Sequence, residues 1–189
     1  MRSGQIYQKF RLKNGKRVVV LRSLKWEDLD SVLEFANSLV EERSENPDLG
    51  IIFDQKQTRE SEARWLMNTL SEMEAGNYVN VAAEVDGGKI IGNSHVARGK
   101  SSDEKHHGVL GVSVLKEWRG LGIGNGMLKI LLDECRKEDF LSVELEVFGN
   151  NSRAISLYER LGFEEIGRVP KKIRRHGRFI DSVIMNLEL

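Results

Sequence analysis

Val112-Ser113-Val114-Leu115-Lys116-Glu117-Trp118-Arg119-Gly120-Leu121-Gly122-Ile123-Gly124 is the stretch from which the rest of the chain can be ordered. A β-branched run enters a charged corner and ends in alternating glycines. Leu128, Leu131, Leu132 and Cys135 follow at i, i+3, i+4, i+7, the spacing of a helix with one apolar face. The pattern predicts strand, glycine turn, helix. Such a turn leaves several backbone N–H groups unpaired at the helix N-terminus, where the dipole is also positive. That combination suits a phosphate, and Gly122 and Gly124 carry no side chain to keep one away. The turn is not a P-loop, because no Lys-Ser or Lys-Thr follows it. Nor is it a dinucleotide fingerprint, because Gly120, Gly122, Gly124 and Gly126 alternate where Gly-x-Gly-x-x-Gly is needed. A purely structural turn remains the alternative for this stretch alone.

A second motif follows another strand-like run, Leu141 to Phe148. It reads Asn151-x-x-Ala154-x-x-Leu157-Tyr158-x-x-x-Gly162-Phe163. Together, Val112-Ser113-Val114 before Arg119-x-x-Gly122-x-Gly124, and then this second motif, resemble the GCN5-related N-acetyltransferase (GNAT) family in order and spacing. The close match covers about Val112 to Phe163, with a looser likeness over most of the chain. The resemblance implies a mixed α/β (α+β) fold: a mostly antiparallel central sheet of about seven strands, splayed after the fourth, with helices on both faces. It implies one domain over residues 1–189, residues 1–22 being an N-terminal β-hairpin extension.

The rest of the chain fits that outline. Gln8 to Leu21 reads as a hairpin around Asn14-Gly15. Asp28 to Val40 reads as a helix with Leu29, Val32, Leu33, Ala36, Leu39 and Val40 on one face. Glu41 to Gln57 reads as a long loop. Thr58 can cap a second helix through Met73, ended by Gly76. Tyr78–Val85 and Lys89–Ala97 form a second hairpin across Asp86-Gly87-Gly88. His107–Leu115 is the strand feeding the glycine turn. Strands near Glu164–Val169 and Phe179–Leu189 flank a basic connector, Lys171 to Arg178.

Composition narrows the partners. Lys plus Arg number 29 and Asp plus Glu 29, so no global field draws nucleic acid or an anionic membrane. No apolar run approaches a membrane span, and the polar start Met1-Arg-Ser-Gly-Gln5 does not read as a signal peptide. Cys135 is the one cysteine, on the apolar stripe, which excludes an internal disulfide and a cysteine-based zinc site. His106-His107 point to opposite faces of a strand and do not make a metal pair. No metal is expected, the default location is cytoplasmic, and a homodimer is among the assemblies the resemblance allows.

The resemblance implies transfer of an acetyl group from acetyl-CoA to a primary amine. The backbone of Arg119, Gly120, Leu121, Gly122, Ile123 and Gly124 would then hold the pyrophosphate, and Arg119 could add charge to it. Val112, Ser113 and Val114 would offer strand-edge groups to the amides of pantetheine. Asn151 would touch CoA, cap the helix, or both. Tyr158 would be the general acid, since tyrosine near pKa 10 stays protonated beside a leaving thiolate near about 8.5. It also lies on the stripe Ala154, Leu157, Tyr158, Leu161, so packing alone is the competing role.

Glu146 matches the glutamate that acts as base in ribosomal-protein N-terminal acetyltransferases of that family. Glu144 shares its strand face, and Glu84, His95, His107 and Glu117 are weaker alternatives. An α-amine of pKa about 8 is roughly 10 % neutral at pH 7, and a lysine or polyamine amine near 10.4 about 0.04 %. The first deprotonation costs about 1.4 kcal/mol and the second about 4.6, so an α-amine needs only a weak base. The cations of Lys171–Arg178 suit a carboxylate-bearing acceptor, whereas Glu41, Glu42, Glu45 and Asp48 suit a polyamine or basic peptide. The tail His176-Gly-x-Phe179-Ile-Asp181-x-x-x-Met185 is similar to members acting on amino acids or protein N-termini. The acceptor stays open among an amino acid, a peptide or protein N-terminus and a small amine, with a polyamine as the alternative. Two rivals stand beside an enzyme: a non-catalytic acyl-CoA-sensing module, which would not need Tyr158, and a nucleotide-binding protein.

Overall fold

The computed structural model describes residues 2–12, 17–46, 48–51 and 54–189. Along these residues the elements run β1 (Ile6–Arg11), β2 (Val18–Arg22), α1 (Leu29–Glu45), α2 (Arg59–Glu74), β3 (Tyr78–Val85), β4 (Lys89–Arg98), β5 (His107–Val114), α3 (Ile123–Lys137), β6 (Ser142–Phe148), α4 (Ser152–Arg160), β7 (Glu164–Arg175) and β8 (Arg178–Glu188). No described helix is long and apolar enough to cross a membrane. The first hairpin pairs as expected, although its Asn14-Gly15 turn lies outside the described residues.

All the strands join one eight-stranded sheet in the order β1-β2-β3-β4-β5-β6-β8-β7. Among the described residues the sheet has eight strands where about seven are expected, β1 adding to the sheet edge through β2. Each pairing is antiparallel except β5 with β6. The parallel pair holds only over His107–Ser142, Gly108–Val143 and Val109–Glu144. Beyond it β5 stays paired with β4 as far as Val114, and β6 with β8 as far as Phe148. The sheet thus opens between β5 and β6, after the fifth strand rather than the fourth, since β1 precedes the rest.

Strand alternation sorts the side chains onto two faces. Tyr78, hydrogen-bonded to Thr69 of α2, marks the α1/α2 face, which carries His95, Gly111 and Ser113 in register. Through the parallel pair, Glu144 and Glu146 share this face. Leu21, Gly92 and Val114 mark the other face, where they lie under Gly126, Met127 and Gly124 of α3. Helix α3 buries Ile123, Met127, Leu128, Leu131, Leu132 and Cys135 there, each apolar side chain contributing about 1.5–3 kcal/mol. Leu157 of α4 reaches the same face. Cys135 is fully buried, and its thiol is pushed up to about 12 by desolvation.

Two boundaries differ from the sequence reading. Helix α1 runs on to Glu45, because its buried stripe continues from Phe35 and Leu39 to Glu42, a carboxylate where an apolar residue would be expected. Strand β7 runs to Arg175, through Pro170 and most of the basic connector. It is an edge strand, so proline costs no ladder bond, and register shifts after Glu165 and Val169 absorb the irregular backbone. Lys171, in the second irregularity, has φ 54°.

Candidate active site

The glycine turn has the form that a phosphate site needs. Gly120 and Gly122 adopt φ 80° and 84°, conformations that favour glycine. Gly122 caps α3 without a side-chain bond, and the first backbone bond into the helix runs from Gly126 N–H to Gly122 O at 3.0 Å. Among the described residues the N–H groups of Gly120 through Asn125 have no acceptor. A Cβ built on Gly122 would meet nothing within 4 Å, whereas one on Gly120 would come 2.7 Å from a terminal nitrogen of Arg153, which places a guanidinium beside the turn. These features fit a pyrophosphate. The edge of β5 from Gly111 to Val114 is unpaired on the β6 side, which fits an extended chain bearing amides.

Arg119 has a different arrangement from a free phosphate ligand. Its Nε donates to the carbonyl of Val114 at 2.8 Å, and its two terminal nitrogens donate to both oxygens of Glu42 at 2.5 and 2.6 Å. Val112 and Val114 are half-buried, with side chains toward α3 and backbone along the open edge.

Helix α4 brings the second motif to the same opening. Asn151 caps it, accepting from Ala154 N–H at 3.2 Å through its side-chain oxygen. Tyr158 is 7 % exposed and packs edge-on against Phe163, ring centroids 5.8 Å apart. Its hydroxyl has no hydrogen-bond partner among the described residues, and burial pushes it up to about 12. The side chain packs and also remains a protonated donor.

The carboxylates divide clearly. Glu146 is paired with Lys172 Nζ at 2.5 Å, and its side chain is 40 % exposed. Desolvation acts to raise its pKa, but Lys172, with Ser182 beside it, outweighs that and holds it below the ordinary value. Glu84 is engaged by Arg22, which also grips Asp28 through two bonds in a buried cluster. His107 exchanges a hydrogen bond with Ser142 Oγ at 2.8 Å. Glu117 is exposed on the turn. His95 differs from these. It stacks on Tyr78 at 5.0 Å and lies over Gly111, where a Cβ would come 2.5 Å from its ring. Desolvation pulls it down to about 4, so it is a neutral imidazole beside the open edge.

A polar pocket of about 330 Å³ adjoins the end of β6, lined by Asp48, Gly149, Asn150, Arg168, Arg178, Phe179, Ile180 and Asp181. The segment after α1 forms one wall. Asn150 holds Asp48 at 2.9 Å, and Arg175, 9 % exposed, donates to the carbonyls of Leu49 and Ile51.

The sequence profile of the acetyltransferase (GNAT) family matches residues 36–163, more than half of the chain. The chain belongs to that family. It is 38 % identical over 117 residues to an N-alpha-acetyltransferase of Sulfurisphaera tokodaii, covering 57 % of this chain and 64 % of that protein. It is 27 % identical over 101 residues to the L-amino acid N-acetyltransferase AaaT of Escherichia coli, covering 52 % and 61 %. The chain thus spans less than two thirds of the length of these curated relatives. In fold it is similar to an acetyltransferase of Salmonella typhimurium solved with its cofactor acetyl-CoA (TM-score 0.76, 20 % identity, 90 % of this chain and 93 % of that one).

The GNAT motifs therefore fall where the sequence reading puts them: a turn, an open strand edge and a helix with its tyrosine. Glu42, Lys172 and Arg175, which the sequence offered only as members of charged runs near an acceptor, are instead engaged with partners inside the protein. Their partners lie 77, 26 and 124 or more residues away in the chain, which leaves no local signal.

Proposed function

We propose that this GNAT chain, one domain over residues 1–189, transfers an acetyl group from acetyl-CoA to the α-amine of an amino acid or a protein N-terminus. The observation that carries the reading is the crown of free N–H groups at Gly120–Asn125 beside the open edge of β5. Acetyl-CoA supplies the thioester. The backbone from Gly120 to Gly124 binds its pyrophosphate, the edge at Val112, Ser113 and Val114 aligns its amides, and Asn151 flanks it, while the Arg119 N–H is spent on the Lys116 carbonyl. The amine nitrogen bonds to the acetyl carbon, the carbon–sulfur bond breaks, and the amine gives up a proton. Tyr158 donates a hydrogen bond to the departing sulfur from the α3/α4 face. Glu146 orients the amine and accepts its proton, through water where needed, from the α1/α2 face. The two named relatives, an L-amino acid N-acetyltransferase and an N-alpha-acetyltransferase, support the acceptor class.

The single sheet spanning residues 6 to 188 supports one domain. The buried free thiol of Cys135 is consistent with a reducing cytoplasm. A homodimer is an expectation of the family likeness, and sedimentation equilibrium checks it.

The test mixes the protein with acetyl-CoA and a panel of L-amino acids, dipeptides and polyamines and follows thiol release. Acceptor-dependent release with α-amines is expected. Tight acetyl-CoA binding without release on any acceptor would instead favour the non-catalytic sensing module.

A further inference from the structure

The side chain of Arg119 starts in the phosphate-binding turn and ends on another element. Its Nε takes the Val114 carbonyl, the last of the open strand edge, and its fork closes on both oxygens of Glu42. Glu42 lies in the C-terminal part of α1 and is 8 % exposed. A two-bond arginine–carboxylate pair fixes orientation as well as distance, and at a nearly buried carboxylate it is poorly screened by solvent. The segment that leaves α1 is held at its far side by Asn150 on Asp48 and by Arg175 on Leu49 and Ile51. Asp48 then lines the polar pocket together with Asn150, Arg178, Phe179 and Asp181. One end of this wall is thus tied to the pyrophosphate turn and the other to the β6–α4 and β7–β8 corners.

We propose that Glu42 and Arg119 are a positioning pair that couples the acetyl-CoA turn to the acceptor side of the site. This rests on the acetyltransferase reading. The amine must approach from the α1/α2 face, since α3 and α4 cover the other. The segment following Glu42 borders that approach. The pyrophosphate is bound by backbone donors, so removing the carboxylate leaves those donors in place. What is lost is the register between the turn and the wall over the acceptor.

The test measures acetyl-CoA affinity by calorimetry and steady-state constants with free L-amino acids and dipeptides, for the parent and for Glu42→Gln, Arg119→Gln and both together. Glu42→Gln is expected to raise the acceptor KM by about 5- to 150-fold, the usual size of such couplings, with acetyl-CoA affinity nearly unchanged. The double variant is expected to match the worse single variant, because the two residues act through one contact. Glu42→Asp is expected to recover part of the loss. An unchanged acceptor KM in Glu42→Gln overturns the proposal. So does a salt-dependent loss of acetyl-CoA affinity confined to Arg119→Gln, which would make Arg119 a phosphate ligand. Should these variants not fold, hydrogen exchange on the parent decides. Acetyl-CoA is expected to slow exchange over residues 43–51, and no change there refutes the coupling. A parent inactive on every acceptor defeats the acetyltransferase reading itself, a separate result.

Discussion

Replacing Tyr158 with phenylalanine removes one oxygen and leaves the ring against Phe163. Burial raises the hydroxyl to about 12. Full proton transfer from such a group to a thiolate near 8.5 is uphill by about 4.8 kcal/mol. A hydrogen bond donated to the developing thiolate avoids that transfer, and hydrogen bonds to charged groups contribute about 1.5–3 kcal/mol. The expected loss in kcat is therefore about 10- to 150-fold, with acetyl-CoA affinity little changed. The assay is thiol release in a single turnover with saturating acceptor, so that chemistry is observed. An acyl donor with a more acidic thiol should shrink the defect. Stability gives an independent check. A tyrosine whose folded pKa is raised contributes stability that is fully present below pH 10 and lost as pH rises through about 12. Tyr158→Phe should accordingly unfold less steeply in alkali, by an amount on the order of 2–3 kcal/mol. Turnover at the parent rate under these conditions would refute the donor role and leave Tyr158 as packing.

Gly122→Val forces a β-branched residue to φ 84° beside the free donors, and calorimetry should show acetyl-CoA affinity down by about 10- to 150-fold with the fold kept. Gly126→Ala places a Cβ 3.2 Å from Leu21 Cδ1, so Tm should fall slightly while acetyl-CoA affinity holds. Arg22→Leu leaves Asp28 and Glu84 without their cation, and urea unfolding should register a loss of about 3–5 kcal/mol. Glu146 has a lowered pKa, so its stabilising pair with Lys172 is present above the ordinary carboxyl range and lost as pH falls through the folded value. Glu146→Gln should flatten that acid limb in a thermal-shift titration, and its rate defect should shrink as pH approaches the amine's own pKa.

Local pattern carried much of this fold. The stripe Leu128, Leu131, Leu132, Cys135 and the Asp86-Gly87-Gly88 turn between two strand runs are properties of neighbouring residues, and both are realised. The end of α1 was not legible in the same way. Its next inward position holds Glu42, whose burial makes sense only once Arg119, far along the chain, closes on it. Pro170 and the lysines after it look like a connector in sequence. Their strand geometry depends on β7 being the outermost strand, and sheet order is not a local property. The candidate site divides likewise. The glycine turn and Tyr158 are readable from spacing, whereas the state of Glu146 is set by Lys172 across the sheet, through a register no motif encodes.

In the proposed mechanism the two proton tasks fall on opposite faces of the opening between β5 and β6. Tyr158 comes from the α3/α4 side and Glu146 from the α1/α2 side, so a donor for sulfur and an acceptor for nitrogen need not compete for the same space. The magnitudes also limit what Glu146 does. Taking a proton from an α-ammonium near 8 with a carboxyl below 4.5 is uphill by at least about 4.8 kcal/mol, whereas using the neutral tenth of the amine at pH 7 costs about 1.4. The cheaper route dominates. In the proposed mechanism the amine therefore sheds its first proton to solvent, and the carboxylate acts on the second, which becomes acidic only as the nitrogen bonds to carbon. A strongly basic residue is then unnecessary. The neutral His95, held over Gly111 by Tyr78, is compatible with the same site because it adds no positive charge to repel the acceptor. For an amine near 10.4 the neutral route is still the cheaper one but costs about 4.6 kcal/mol, about 3.2 more than for an α-amine. That difference supports the proposed α-amine acceptor over a polyamine.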